Sequence, residues 1–121
     1  MLNWLFWAIV ALVIIYFVWQ MMPVKGVVNI TTDELKKRLR DKNVQFIDVR
    51  TPMEYQQYHI KQFKNIPLQR LRKECETLDR DKEVVLICRS GSRSMRAARI
   101  LKGKGFTKIT NVVGGINHWQ P

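Results

Sequence analysis

The charged residues of this sequence are unevenly distributed, and several common features are absent from it. No charged residue occurs before Lys25, and no acidic residue follows Glu83. Only two of the 121 residues are cysteine, and no repeated or low-complexity stretch interrupts the chain. With 46% hydrophobic and 26% charged residues, the composition excludes a collagen-like or mostly disordered protein. The charged part of the chain, residues 25–121, leaves room for one small domain.

The uncharged amino-terminal segment contains 16 consecutive apolar residues, at positions 4–19. At about 1.5 Å per helical residue, positions 1–22 reach roughly 33 Å, which compares with a hydrocarbon core of about 30 Å. A secretory signal peptide is the alternative, but the segment has neither a basic leader nor a small-residue cleavage site. The pattern predicts a transmembrane anchor helix over residues 1–22, a short linker over 23–26 and one domain over 27–121.

Basic residues follow the apolar segment, whereas only the terminal amine precedes it. Because basic flanks stay on the cytoplasmic side, this asymmetry predicts a single-pass membrane protein with a cytoplasmic C-terminal domain. In that reducing compartment Cys75 and Cys88 are not expected to form a disulfide. Their separation of 13 residues also fits neither a zinc site nor a C-x-x-C redox motif. Each thiol is therefore considered by itself.

The net charge of +11 belongs entirely to residues 25–121. Three kinds of partner fit a strongly basic domain: an anionic membrane leaflet, a small anionic substrate and nucleic acid. No aromatic-interleaved basic stretch and no nucleic-acid motif accompanies the charge. The sequence therefore favours a membrane surface or a small anion and predicts no nucleic-acid partner.

The charged part of the chain alternates short β-branched runs with helical patterns, which predicts an α/β fold. Thr31 and Glu34 have the spacing of a capping box at the start of a helix that reaches about Arg40. The run at positions 84–87 lacks polar alternation, as is typical of a strand buried on both faces of a parallel sheet. Further strands are predicted at 27–30, 44–49 and 108–113, and further helices at 52–57, 71–78 and 93–102.

The most informative segment places Cys88 directly after the 84–87 strand, before a turn of small and basic residues and a helix. Parallel α/β sheets bind ligands at this end of their strands. Gly91 permits a tight turn whose N–H groups converge on one centre. Arg89, Arg93 and the helix N-terminus add positive charge there. The pattern favours an anionic, nucleophilic Cys88 over a buried, inert thiol.

The Cys88 segment resembles the active-site loop of the rhodanese family of sulfurtransferases. Three other segments are similar to motifs of that family in the expected order, namely residues 46–55, residues 59–68 and residues 114–119. The resemblance covers about residues 28–119. It implies a single rhodanese-like domain, α/β, with a small parallel sheet flanked by helices and preceded here by the predicted transmembrane helix.

In that family the loop cysteine takes the outer sulfur of a donor such as thiosulfate and passes it to a thiophilic acceptor. By position, the resemblance implies that Cys88 is the catalytic nucleophile and carries the sulfur as a persulfide. The implied substrate-binding residues are Arg89, Ser90, Gly91, Ser92, Arg93, Ser94 and Arg50. Asp48 is expected to support Arg50 in an ion pair. The expected partners are a small anionic sulfur donor and a thiol or cyanide acceptor, with a protein sulfur acceptor as a further candidate; no cofactor and no metal are expected.

Two other functions stay open at this stage. Phosphatases and arsenate reductases use a related loop, typically with five residues between cysteine and arginine, whereas four separate Cys88 from Arg93. The other alternative is a non-catalytic, membrane-tethered sulfur carrier or binding module. Around His59, where relatives often have small residues, this chain has the bulkier Tyr58, Gln62 and Phe63. The sequence therefore does not define access to the site.

Overall fold

The computed structural model describes residues 2–21 and 26–121 of the chain. Within these ranges the α-helices are α1 Leu2–Met21, α2 Thr32–Arg38, α3 Pro52–Gln57, α4 Leu68–Glu74 and α5 Ser92–Gly103. The strands are β1 Val27–Ile30, β2 Val44–Asp48, β3 Lys64–Asn65, β4 Glu83–Ile87 and β5 Ile109–Val112. Short 3₁₀ helices at Cys75–Thr77 and Gly115–His118 follow α4 and β5. Of the predicted linker at 23–26, only Gly26 lies within the described residues.

The described strands form one parallel sheet in the order β1–β5–β4–β2–β3. The predicted α/β fold with a small parallel sheet flanked by helices is therefore confirmed. β4 lies at the centre, and its apolar residues are fully buried, as its lack of polar alternation predicts. Asp48 at the end of β2 lies opposite Ile87 at the end of β4. The residues that follow these two strands therefore meet at the same edge of the sheet.

One strand is absent from the sequence prediction. β3 has only two residues, Lys64 and Asn65, and pairs with the end of β2 at the edge of the sheet. Two residues are too few to show a hydrophobic period, so the pattern gives no signal for this strand. Helix α4 also begins earlier than predicted, directly after Pro67, whose fixed φ leads the chain into the first turn.

Hydrophobic cores lie on both faces of the sheet. Side chains of β4 alternate between them, so Leu86 lies with Cys88 in one core and Ile87 lies in the other. The first core includes Leu71 of α4 and Leu101 of α5, both fully buried. The second core is completed by α2 and by the segment before β3 through these residues: Leu35, Ile60 and Phe63. Cys88 is thus presented by a strand that is fixed from both sides.

Capping boxes begin two of the short helices. Thr31 Oγ1 accepts a hydrogen bond from the Glu34 amide at 3.2 Å, and the Glu34 carboxylate accepts one from the Thr31 amide at 3.3 Å. The predicted box at α2 is therefore confirmed. The same exchange joins Thr51 and Glu54 at α3, with distances of 3.2 and 3.1 Å. Helices of six or seven residues have marginal stability by themselves, so these capping boxes help to stabilise α2 and α3. The capping box of α3 also fixes Glu54 near the end of β2.

Helix α1 forms over the predicted apolar segment and carries no charged residue. In the described parts of the chain, no helix has the length and hydropathy that crossing a membrane requires. This finding contradicts the predicted localisation as a single-pass membrane protein with a cytoplasmic domain, and it does not support the predicted membrane anchor.

Truncation of Leu101 on α5 to alanine is expected to lower the free energy of unfolding by about 2–5 kcal/mol, because it opens a cavity in the core beneath Cys88. Urea unfolding followed by circular dichroism measures the change. Met53→Ala is the matched control, since that side chain is 71% exposed and its loss should cost less than about 0.5 kcal/mol. Equal effects of the two substitutions would contradict the described packing.

Candidate active site

Cys88 lies at the carboxyl end of the central strand and is fully buried. Its sulfur accepts a hydrogen bond from the Gly91 amide at 2.9 Å. Gly91 reaches this position with a φ of +106°, a conformation that L residues with a side chain rarely adopt. Gly91 is also the N-cap of the 12-residue helix α5, so the positive end of that helix faces the sulfur. The loop therefore favours a negatively charged atom at this position.

A second turn, directly after β5, holds the backbone of the Cys88 loop. The carbonyl oxygen of Cys88 accepts a hydrogen bond from the Ile116 amide at 2.9 Å, and that of Arg89 accepts one from the Asn117 amide at 3.0 Å. Gly115 packs so closely that a Cβ atom there would lie 2.2 Å from the Cys88 carbonyl oxygen. Gly115, which with Gly114 forms the glycine pair after β5, thus lets the two loops come into backbone contact.

Ser94, in the first turn of α5, approaches the sulfur from the buried side. Its hydroxyl oxygen lies 3.4 Å from Cys88 Sγ and within hydrogen-bond distance of the Gly91 carbonyl, at 2.9 Å. The resemblance implies that Ser94 is a substrate-binding residue, and the structure shows its side chain at the sulfur. Ser90 and Ser92 are both exposed, and Ser92 begins α5.

Arg93 is held over the site by Glu54, a residue to which the sequence reasoning gave no role. Two parallel hydrogen bonds of 2.7 and 2.9 Å join the guanidinium to the carboxylate. This contact with Arg93, together with the Thr51 cap, lowers the pKa of Glu54 to about 2. The same pairing raises the pKa of Arg93, and the nearby Cys88 acts in the same direction. The Thr51-x-x-Glu54 spacing signals the helix cap, but no spacing signals the partner on α5.

Arg50 and Asp48 form a buried ion pair at the end of β2, as the sequence predicts for Asp48. Arg50 donates hydrogen bonds to both carboxylate oxygens, at distances of 2.8 to 3.1 Å. Its Nη2 atom also donates to the Tyr58 carbonyl at 2.6 Å. The guanidinium is thus bound on several sides and ties the segment after α3 to the end of β2.

A cleft of about 220 Å³ opens beside the Cys88 loop. Arg89 is exposed and lies in its wall. The remaining lining residues come from the segment after β2, from α3 with the residue after it, and from the turn after β5: Arg50, Glu54, Gln57, Tyr58, Ile116 and Asn117. Since Arg50, the other arginine that lines this cleft, is paired with Asp48, Arg89 supplies the least compensated positive charge of its wall.

Other residues with reactive or metal-binding side chains lie apart from this arrangement. Cys75 is buried and donates a hydrogen bond to the Arg72 carbonyl. The ring of His59 stacks on Tyr55, at 3.7 Å between centroids, and its Nδ1 contacts the Tyr55 carbonyl. The Tyr55 hydroxyl also donates a 2.5 Å hydrogen bond to the Phe63 carbonyl. Within residues 2–21 and 26–121, no group of three histidine, cysteine or acidic residues has a metal-binding arrangement.

Comparison with known proteins agrees with this geometry. The family model described as "rhodanese-like domain" matches residues 31–121, which is most of the chain. The chain belongs to the rhodanese-like domain family. The segments of this rhodanese-like domain that resemble motifs of the family are residues 46–55, residues 59–68, the Cys88 loop and residues 114–119.

Named relatives and solved structures extend the comparison. The chain is 41% identical over 93 residues to the "putative sulfurtransferase YtwF" of Bacillus subtilis, covering 76% of this chain and 89% of that protein. It is 37% identical over 92 residues to the "putative sulfur carrier protein YrkF" of the same organism, covering 75% of this chain but only 50% of that protein. The chain thus spans about half the length of YrkF. A crystal structure of a rhodanese-like domain protein from Staphylococcus aureus matches with a TM-score of 0.71 and 33% identity, covering 77% of this chain and 91% of that one.

The Glu54–Arg93 pair should make stability depend on pH in the acid range. Because the pKa of Glu54 lies near 2 in the folded protein and near 4.5 ordinarily, the pair stabilises the fold above about pH 4.5. This contribution is lost as the pH falls toward 2. Glu54→Gln should lower stability at pH 7 by on the order of 1 kcal/mol. The difference from the unsubstituted chain should shrink between pH 4.5 and 2, as measured by thermal unfolding.

Glu74→Gln is the matched control for this measurement, since it removes an exposed pair with Arg70 of the kind that contributes little. A stability difference for Glu54→Gln that stays constant from pH 7 to pH 2 would contradict the assigned pair.

Proposed function

We propose that this rhodanese-like domain is a sulfurtransferase that moves sulfane sulfur from a donor such as thiosulfate to a thiophilic acceptor through a persulfide on Cys88. One hydrogen bond carries the proposal. The Cys88 sulfur, at the end of β4, accepts it from the amide of Gly91, the N-cap of α5, at 2.9 Å. Such a site stabilises the charge of a thiolate and of a terminal persulfide sulfur, and both are anionic.

In the first half-reaction, the Cys88 thiolate attacks the outer sulfur of thiosulfate. The new S–S bond forms as the original S–S bond breaks, and sulfite leaves with the electron pair. In the second half-reaction, cyanide or a thiolate attacks the outer sulfur of the persulfide, and the Cys88 thiolate is the leaving group. Thiocyanate or an acceptor persulfide is the product, and the enzyme returns to its starting state without an external oxidant or reductant.

The arginines divide into two roles in this scheme. Arg89, exposed in the wall of the cleft, attracts the dianionic donor and the anionic acceptor. Arg93, fixed by Glu54, adds a positive charge that stays in one place while sulfite departs. Arg50 lines the same cleft, but its bonds to Asp48 and to the Tyr58 carbonyl assign it mainly to holding the cleft wall. The amides of residues 89–94 form the anion-binding surface, of which Gly91 supplies the contact to the resting sulfur.

A sulfur carrier that receives and relays sulfane sulfur without efficient turnover is the second candidate. It is favoured by the similarity to YrkF, which is named a putative sulfur carrier protein. Both candidates use the same Cys88 persulfide, and they differ in the acceptor, which is a small molecule in one and a protein thiol in the other. A phosphatase or arsenate reductase receives less support, because four rather than five residues separate Cys88 from Arg93.

The purified chain should convert thiosulfate and cyanide to thiocyanate, and Cys88→Ser should reduce this to background because serine cannot hold a transferable sulfur. Cys75→Ser is the matched control, since it alters the other buried thiol, and activity should be retained. Thiocyanate formation by Cys88→Ser at the unsubstituted rate would exclude the assigned nucleophile. Sulfur uptake by Cys88 without thiocyanate formation would favour the sulfur-carrier function. Hydrolysis of a phosphate ester would overturn both the sulfurtransferase and the sulfur-carrier proposals.

A further inference from the structure

A chain of buried polar side chains leads from the catalytic sulfur across the sheet. The Ser94 hydroxyl oxygen lies 3.4 Å from Cys88 Sγ and 2.5 Å from Oδ1 of Asn111 on β5. Ser94 and Asn111 are both buried. Asn111 Nδ2 donates a 3.2 Å hydrogen bond to Oδ1 of Asn29, which lies directly opposite it on β1. This series of hydrogen-bonded side chains ends at Asn29, which is exposed.

The Ser94 hydroxyl has a single proton and three acceptors around it. It can donate to the Gly91 carbonyl, to Asn111 Oδ1 or to a Cys88 thiolate. Because the Asn111 amide directs its N–H toward Asn29, it presents an oxygen to Ser94 that can only accept. The Gly91 carbonyl can likewise only accept, so the Ser94 proton points to one of these two oxygens. In this arrangement the lone pairs of Ser94, not its proton, face the sulfur, which suits a Cys88 thiol that donates to Ser94.

We propose that Asn111 is a positioning residue that competes with Cys88 for the proton of Ser94 and thereby sets how readily the nucleophile ionises. When Cys88 loses its proton, the Ser94 hydroxyl rotates from Asn111 to the sulfur. The charge-assisted bond that forms stabilises the thiolate. The Asn111 oxygen then loses its donor in a buried site, which opposes the change. The proposal rests on Cys88 as the nucleophile of the proposed function.

Charged and titratable groups around Cys88 come from every neighbouring segment of the site. They are Arg89 in the loop, Arg93 on α5 with Glu54 on α3, Asp48 and Arg50 at the end of β2, and His118 after the glycine pair. None of them contacts Asn111 through a described hydrogen bond. The variants below leave all of these groups unchanged, so their direct fields on the sulfur stay constant.

Two substitutions at Asn111 should act in opposite directions. Asn111→Leu removes one of the two acceptors that compete with the sulfur and leaves the Gly91 carbonyl in place, so the pH midpoint of Cys88 alkylation by iodoacetamide should fall by roughly half a unit and by no more than one, the limit for one hydrogen bond. Asn111→Asp supplies a stronger acceptor and a negative charge, so the midpoint should rise by at least about one unit. Mass spectrometry of the alkylated peptide separates Cys88 from Cys75. If Asn111→Leu does not fold, Asn111→Ala tests the same fall.

The Ser94→Ala background tests whether the effect passes through the hydroxyl. The leucine-induced fall should disappear in the double variant, and the aspartate-induced rise should shrink to its direct charge effect. Thr110→Val is the matched control: it removes a buried hydrogen bond to Glu83 from the adjacent residue of β5, on the opposite face of the sheet, and should leave the midpoint unchanged.

Shifts of the same sign for leucine and aspartate would overturn the proposal, because that is the result of a general loss of structure. An undiminished leucine effect in Ser94→Ala, or an equal shift in Thr110→Val, would also overturn it. Alkylation requires no sulfur donor, so the outcome is separate from that of the proposed function. A chain that shows the opposed shifts but takes up no sulfane sulfur would refute sulfur transfer and support the role of Asn111.

Discussion

The site depends on backbone contact between two loops at the carboxyl edge of the sheet. One loop follows β4 and carries Cys88, and the other follows β5 and contains Gly115. Hydrogen bonds from the Ile116 and Asn117 amides to the carbonyls of Cys88 and Arg89 join them. Because Gly115 has no side chain, the loops approach more closely than any other residue would permit. The amide of Gly91 can then point at the sulfur without help from a side chain.

Charge at the site is arranged in fixed pairs around this backbone frame. Asp48 immobilises Arg50 in the wall, and Glu54 immobilises Arg93 above the loop. Asp48 is the last residue of β2, and Glu54 lies in the capping box of α3, the helix that follows that strand. Arg89 is left as the exposed cation that faces an incoming ligand. Fixed dipoles and fixed charges require little rearrangement when an anion binds, and this is the condition under which electrostatic stabilisation is most effective.

Much of this could be predicted from the sequence, because the decisive signals are local. The apolar run of β4, the glycine after Cys88 and the Thr31 capping box each involve residues a few positions apart. Contacts between distant residues could not be predicted in the same way. Glu54 and Arg93 are 39 positions apart and Ser94 and Asn111 are 17 apart, and neither pair has a characteristic spacing. The two-residue strand β3 is too short to show a pattern, and the predicted membrane localisation was wrong.

The most direct test of the account is the intact mass of the chain after incubation with thiosulfate and removal of excess donor. The account predicts an added mass of one sulfur atom, located on the Cys88 peptide and released by cyanide or dithiothreitol. Cys88→Ser should show no added sulfur, and Cys75→Ser should show the same addition as the unsubstituted chain. A Cys88 peptide that stays unmodified while the protein is folded, or sulfur found on Cys75 instead, would contradict the account.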